Sequence, residues 1–136
     1  MTNIVLCDLP NTLFDSRHRS TEDTLCITDI KSDKINKTAL FLLRDLQKLN
    51  YSFIYTHYCL TRLADIIEEM LKKHIPAAKL YTNFATQQVY NNQTLKEHIL
   101  LSALQSGYQI CYAIDNDTKM TAFYHNNKIP CIRVPL

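Results

Sequence analysis

The sequence predicts a three-layer α/β domain, a parallel five-stranded sheet with helices on both faces. Three observations carry this. Short apolar runs of strand length alternate with longer stretches in which apolar residues recur every three or four positions. Two of those runs end abruptly in a carboxylate, Asp8 and Asp115, at the strand ends where open parallel sheets place their ligands. The 136 residues suit one domain, 1–136, with chain for a single core and no cap domain.

The first strand is the run over residues 4–7, rich in β-branched side chains. Pro10 cannot continue a central strand, and Asn11 tolerates left-handed backbone angles, so the chain turns there. Residues 15–32 are polar and mixed, with Arg17, His18 and Arg19 close together; they form a short flap, and a hairpin arm fits residues 24–28. Asp33 is the expected N-cap of a helix whose apolar face is Ile35, Ala39, Leu42, Leu43, Leu46 and Leu49, ended by Asn50. Residues 52–56 read as the second strand. Leu60, Leu63, Ile66, Ile67, Met70 and Leu71 mark a second amphipathic helix that stops before Pro76.

Residues 79–83 form a weaker third strand. Thr94 and Glu97 have the spacing of a capping box, with Ile99, Leu100, Ala103 and Leu104 on the buried side and Gly107 as terminator. Residues 109–114 are the fourth strand, followed by a short helix over about residues 118–126. Residues 129–134 make the fifth strand, which Pro130 and Pro135 place at a sheet edge.

Composition excludes several classes. Hydrophobic residues at 46%, charged residues at 21% and a net charge of +2 are ordinary for a globular protein and imply no strong field toward nucleic acid or membrane. No apolar run is long enough for a membrane span, and no basic start precedes an apolar core as in a secretory leader. A single glycine excludes glycine-rich phosphate loops. The five cysteines, Cys7, Cys26, Cys59, Cys111 and Cys131, are odd in number and form no CxxC. They read as free thiols in a reducing cytoplasm.

Asp8-Leu9-Pro10-Asn11-Thr12-Leu13 resembles the Asp-x-Asp-Gly-Thr-Leu signature of the haloacid-dehalogenase-like (HAD) phosphohydrolases, with Pro10 in place of the second Asp and Asn11 in place of the Gly. The family's three later marks follow in order. Thr56 ends the next strand, Lys96 opens a later helix, and Asp115-Asn116-Asp117 ends the following strand with its second member amidated. The segments 112–120 and 129–134 are similar in particular to the small phosphatase domain of polynucleotide kinase-phosphatases. The resemblance implies a Rossmannoid HAD-like fold in which the first and fourth strands are neighbours. It also implies catalysis by Asp8, Thr12, Thr56 and Lys96, and Mg²⁺ held by Asp8, the Pro10 carbonyl, Asp115 and Asn116.

A phosphoryl group repels a carboxylate nucleophile unless a cation neutralises both, and Mg²⁺ does so with one or two carboxylates, waters and a phosphate oxygen. Thr56 and Lys96 would hold the transferring oxygens. Arg17, Arg19 and Arg62 are candidates for further phosphates, with Tyr58 as a stacking surface. Pro10 cannot act as general acid, a role worth ~10²–10⁴-fold in rate. His57 and His18 are the candidate replacements and substrate-binding residues. Three readings follow: a slow Mg²⁺-dependent phosphohydrolase for nucleotide or nucleic-acid phosphate ends, an inactive relative that binds a phosphorylated ligand or a protein partner, or a protein that retains only the scaffold and works through its surface.

Overall fold

The computed structural model describes residues 3–18, 30–57, 63–78, 80–82 and 92–136. The expected hairpin arm, Arg19, Tyr58, Leu60, Arg62, Cys26 and Cys59 lie outside the described residues. In chain order the elements are β1 (Asn3–Asp8), β2 (Phe14–Asp15), β3 (Lys34–Ile35), α1 (Lys37–Lys48), β4 (Ser52–His57), α2 (Ala64–His74), β5 (Leu80–Thr82), α3 (Asn92–Gln105), β6 (Gln109–Ile114), α4 (Thr118–Asn126) and β7 (Cys131–Ile132). The α/β expectation holds. The main sheet runs β5-β4-β1-β6-β7, and each neighbouring pair is parallel.

β1 lies at the centre and is buried from Ile4 to Asp8. Its side chains alternate between the two faces, as a strand requires. Val5 and Cys7 join the core cluster that contains Leu43 of α1 and Ile67 and Leu71 of α2. Ile4 and Leu6 join the second cluster, with Leu95, Ile99, Leu100 and Ala103 of α3 and Met120 and Tyr124 of α4. Helices therefore cover both faces, and β1 reads as a continuous apolar run because neither side meets water. Leu104, expected on the buried side of α3, is 51% exposed, and Leu95 takes its place in the core.

The first helix begins later than its pattern suggests. Asn36 caps α1, its side chain accepting from Ala39 N, and Asp33 does not. Lys34 and Ile35 instead pair antiparallel with Asp15 and Phe14, which holds that backbone extended and postpones the helix. α3 begins at Asn92, before the expected cap at Thr94; polar residues on either side of a helix start leave its boundary open in sequence. β7 is confined to Cys131 and Ile132, between Pro130 and the segment bound by side-chain amides at Val134. Asn11, Asn50 and Lys128 have positive φ, as does Gly107, so the turns expected at Asn11, Asn50 and Gly107 form in left-handed backbone.

Candidate active site

The sheet brings the acidic strand ends together. Asp8 and Thr56 are Cα partners at the carboxyl ends of β1 and β4. β6 pairs with β1 on the other side as far as Cys7 opposite Ile114, one residue before Asp115. By alternation Asp8, Thr56 and Asp115 share the face that α3 covers. Lys96 of α3 reaches into this gap and is 1% exposed. Its ammonium lies 3.1 Å from Asp8 Oδ1 and donates to Asp115 Oδ2.

Thr12 ties the two strand-end loops together. Its hydroxyl donates to Asp8 Oδ2 at 3.1 Å and accepts from Asn116 N at 3.1 Å. Asp115 Oδ1 accepts from Asp117 N at 2.9 Å, and Asp117 caps α4 through Lys119 N. Asp8 Oδ1 is buried and has no hydrogen bond among the described residues, with the Lys96 ammonium beside it as an ion pair.

The charges do not balance. Two buried carboxylates face one ammonium, and burial of an unneutralised charge is costly. Burial pushes the Asp8 carboxyl up to about 7, against the opposing pull of Lys96. Asp115 is raised by burial as well. The two carboxylates raise Lys96 above its ordinary value, although burial alone would lower it.

This donor set fits a hard divalent cation. Among the described residues no three His, Cys, Asp or Glu side chains gather as a protein cage. Mg²⁺ needs less, one or two carboxylates with water and substrate oxygens completing the shell. Asp8 Oδ1 is the kind of orphaned acceptor such an ion would satisfy.

Other expected site residues have different surroundings. Asn116 does not offer its amide to the gap. Its Nδ2 donates to Asn11 O and Val134 O, both at 2.7 Å, and its Oδ1 accepts from Val134 N at 2.7 Å. Every polar atom of that side chain is engaged in fastening the loops. His57 follows Thr56 and so points to the opposite face, where it lines a small cavity with Leu9, Phe14, Ile30, Asp33, Ile67 and Met70. Alternation along β4 therefore separates His57 from Asp8, against its expected place beside the phosphate.

On the flap, His18 Nε2 lies 3.3 Å from Asp33 Oδ1, and Ser16 Oγ donates to Asp33 Oδ2 at 3.0 Å. Arg17 forks onto Asp15 through bonds of 3.0 and 2.7 Å and holds that carboxyl down to about 2.

No protein-family model matches the chain. No curated protein matches it in sequence. Solved structures match it in shape. A chain of the Pnkp1/Rnl/Hen1 RNA repair complex superposes with a TM-score of 0.80 at 19% identity, covering 98% of this chain and 42% of its own. A second structure of the Pnkp1/Rnl/Hen1 complex gives 0.82 at 19% identity, covering 99% and 46%. The fold is shared with those chains. This chain spans less than half the length of either.

Two residues of the site region escaped the sequence reading. Asn36 looked like helix interior, yet its Nδ2 faces the carbonyls of Thr12, Val134 and Pro135 at 3.0, 3.3 and 3.2 Å. A polar residue between Ile35 and Lys37, where the chain leaves an extended stretch, is the only local signal of a cap. Arg133 reads as a strand residue; its guanidinium donates to Asn116 O at 3.1 Å, beside the loop that carries Asp115. Nothing in the sequence announces that contact.

Proposed function

We propose that this chain is a HAD-like phosphohydrolase that acts slowly on the phosphate ends of nucleotides or nucleic acids. The observation that carries the reading is the buried Lys96 bridging Asp8 and Asp115, beside Thr56 and with Thr12 fixing Asp8. A bare scaffold gains nothing from two carboxylates and a lysine in its interior, because such groups stabilise little and desolvate at a cost.

Asp8, Asp115 and the Pro10 carbonyl would hold Mg²⁺. The ion would supply charge neutralisation between nucleophile and phosphate. The Asp8 carboxylate oxygen not held by the ion attacks phosphorus, the bond to the leaving oxygen breaks with its electron pair going to that oxygen, and an aspartyl-phosphate forms at Asp8. Lys96 and Thr56 hold the equatorial oxygens as charge develops on them. Water then cleaves the aspartyl-phosphate. With Pro10 where an acid would serve both steps, good leaving groups react and alkoxides react poorly.

Likeness to chains of an RNA repair complex supports a nucleic-acid end as the source of the phosphate. Residues 15–32 and 84–93 are short for a cap domain, which suits a phosphate borne by a large molecule.

A second reading has its own support. Pro10 removes the acid, and the Asn116 amide is committed to backbone groups. Together they favour a non-catalytic protein that binds a phosphorylated ligand or a protein partner through the same gap.

A phosphate-release assay with Mg²⁺, over nucleotides and 3′- or 5′-phosphorylated oligonucleotides, separates the two. Slow release that Asp8→Asn abolishes and Pro10→Asp raises by ~10²–10⁴-fold supports the enzyme. No release by the parent with a gain in Pro10→Asp supports the binder. Release that survives Asp8→Asn overturns the assignment of the nucleophile.

A further inference from the structure

A cavity of about 630 Å³ is lined by Asn11, Arg17, Asn116, Arg133, Pro135 and Leu136. That volume falls within the roughly 300–1,000 Å³ typical of small-molecule sites. Its position is fixed by the site itself. Asn11 belongs to the loop after Asp8 and Asn116 to the loop after Asp115, and the Asn116 amide bonds Asn11 O directly. A group held between the two acidic strand ends therefore has this cavity for a neighbour.

The lining has two chemistries. Pro135 and Leu136, the latter 43% exposed, offer apolar surface of the kind on which a base or sugar lies. Arg17 and Arg133 offer guanidinium groups. They differ in availability. Arg17 is neutralised by the forked pair with Asp15. Arg133 is exposed; among the described residues it makes its one hydrogen bond to a backbone carbonyl and forms no ion pair. An uncompensated guanidinium beside an apolar wall matches a phosphate adjoining a nucleoside, since the fork of donors fits two phosphate oxygens at once.

We propose that this cavity is a subsite for the nucleoside next to the terminal phosphate, with Arg133 recognising the following phosphodiester, so that the ligand is a nucleic-acid strand end. The assignment rests on the function proposed above and adds a specificity residue to it. Arg133 touches the second phosphate and leaves the reacting one to Lys96 and Thr56.

Calorimetric titration of the full chain with inorganic phosphate, thymidine 3′,5′-bisphosphate and a tetranucleotide carrying a terminal phosphate tests this. The parent should bind the bisphosphate at least tenfold more tightly than inorganic phosphate, and the tetranucleotide no less tightly than the bisphosphate. Arg133→Ala should remove most of that excess and leave the affinity for inorganic phosphate unchanged. Arg133→Lys, which keeps the charge and loses the fork, should fall between. Arg133 is exposed, so neither variant disturbs the core.

Equal affinity for the bisphosphate in parent and Arg133→Ala would overturn the subsite while leaving the phosphate gap standing. A parent that binds the bisphosphate and not the tetranucleotide would overturn the strand-end assignment. A parent that binds none of the three would remove the underlying function together with the subsite.

Discussion

Lys96 is the residue on which the interior of the site depends. It is one cation between two carboxylates, all three buried. Removing one partner of such a group leaves an uncompensated charge, at a cost of about 3–5 kcal/mol. Lys96→Met should therefore unfold at much lower urea than the parent near pH 8.

The pH dependence follows from the direction of the Asp8 shift. Its carboxyl is raised from 3.8 to about 7. The stability linked to it is fully present below 3.8 and is lost as pH rises through about 7. Without divalent cation, the melting temperature should fall between pH 5 and pH 8, and Asp8→Asn should flatten that slope. His74 acts in the other direction: burial and the nearby Arg44 and Lys73 lower it, so its contribution is lost as pH falls below 6.5. An Asp8→Asn protein with the parent's slope would refute the attribution to Asp8.

At the scale of elements, two asparagines hold what the strands only bring near. Asn36 caps α1 and reaches the turn after β1 and the segment after β7. Asn116 joins the loop after β6 to the same two places. Restoring an acid at position 116 should therefore not restore a metal ligand. Asn116→Asp sets a carboxylate oxygen against the carbonyls of Asn11 and Val134, where an N–H now donates. The bond to Asn11 O is exposed and that to Val134 O part-buried, so their loss costs ~0.5–1.5 kcal/mol each. Urea denaturation should show Asn116→Asp less stable than the parent, with no gain in Mg²⁺ affinity by calorimetry; a gain in affinity would reinstate Asn116 as a ligand. No comparable penalty is expected at Pro10, whose side chain makes no hydrogen bond to lose.

At the scale of the whole molecule, β1 belongs to both apolar clusters, Val5 and Cys7 to one and Ile4 and Leu6 to the other. Neither cluster closes without it. Leu6→Ala should cost about 2–5 kcal/mol, and circular dichroism and tyrosine fluorescence should follow one transition. Two separate transitions would show the faces to be independent. No helix among the described residues is long and apolar enough to cross a membrane. The cysteines described, Cys7, Cys111 and Cys131, are free thiols.

How much of this was legible beforehand depended on whether the signal was local. Alternating apolar runs and helical periodicities are local, so the parallel α/β layout could be read directly. So could Asp8 and Asp115, because each stands where an apolar run stops, and the turn at Asn11, because few residues tolerate that backbone. The cap of α1 could not be read: Asp33 and Asn36 are both good caps, and the choice was made by a strand pair between Phe14–Asp15 and Lys34–Ile35. Nor could the task of Asn116 or the contact of Arg133 be read. Each depends on what a distant part of the chain presents across a few ångströms, a matter that residue type and spacing leave open until the sheet is assembled.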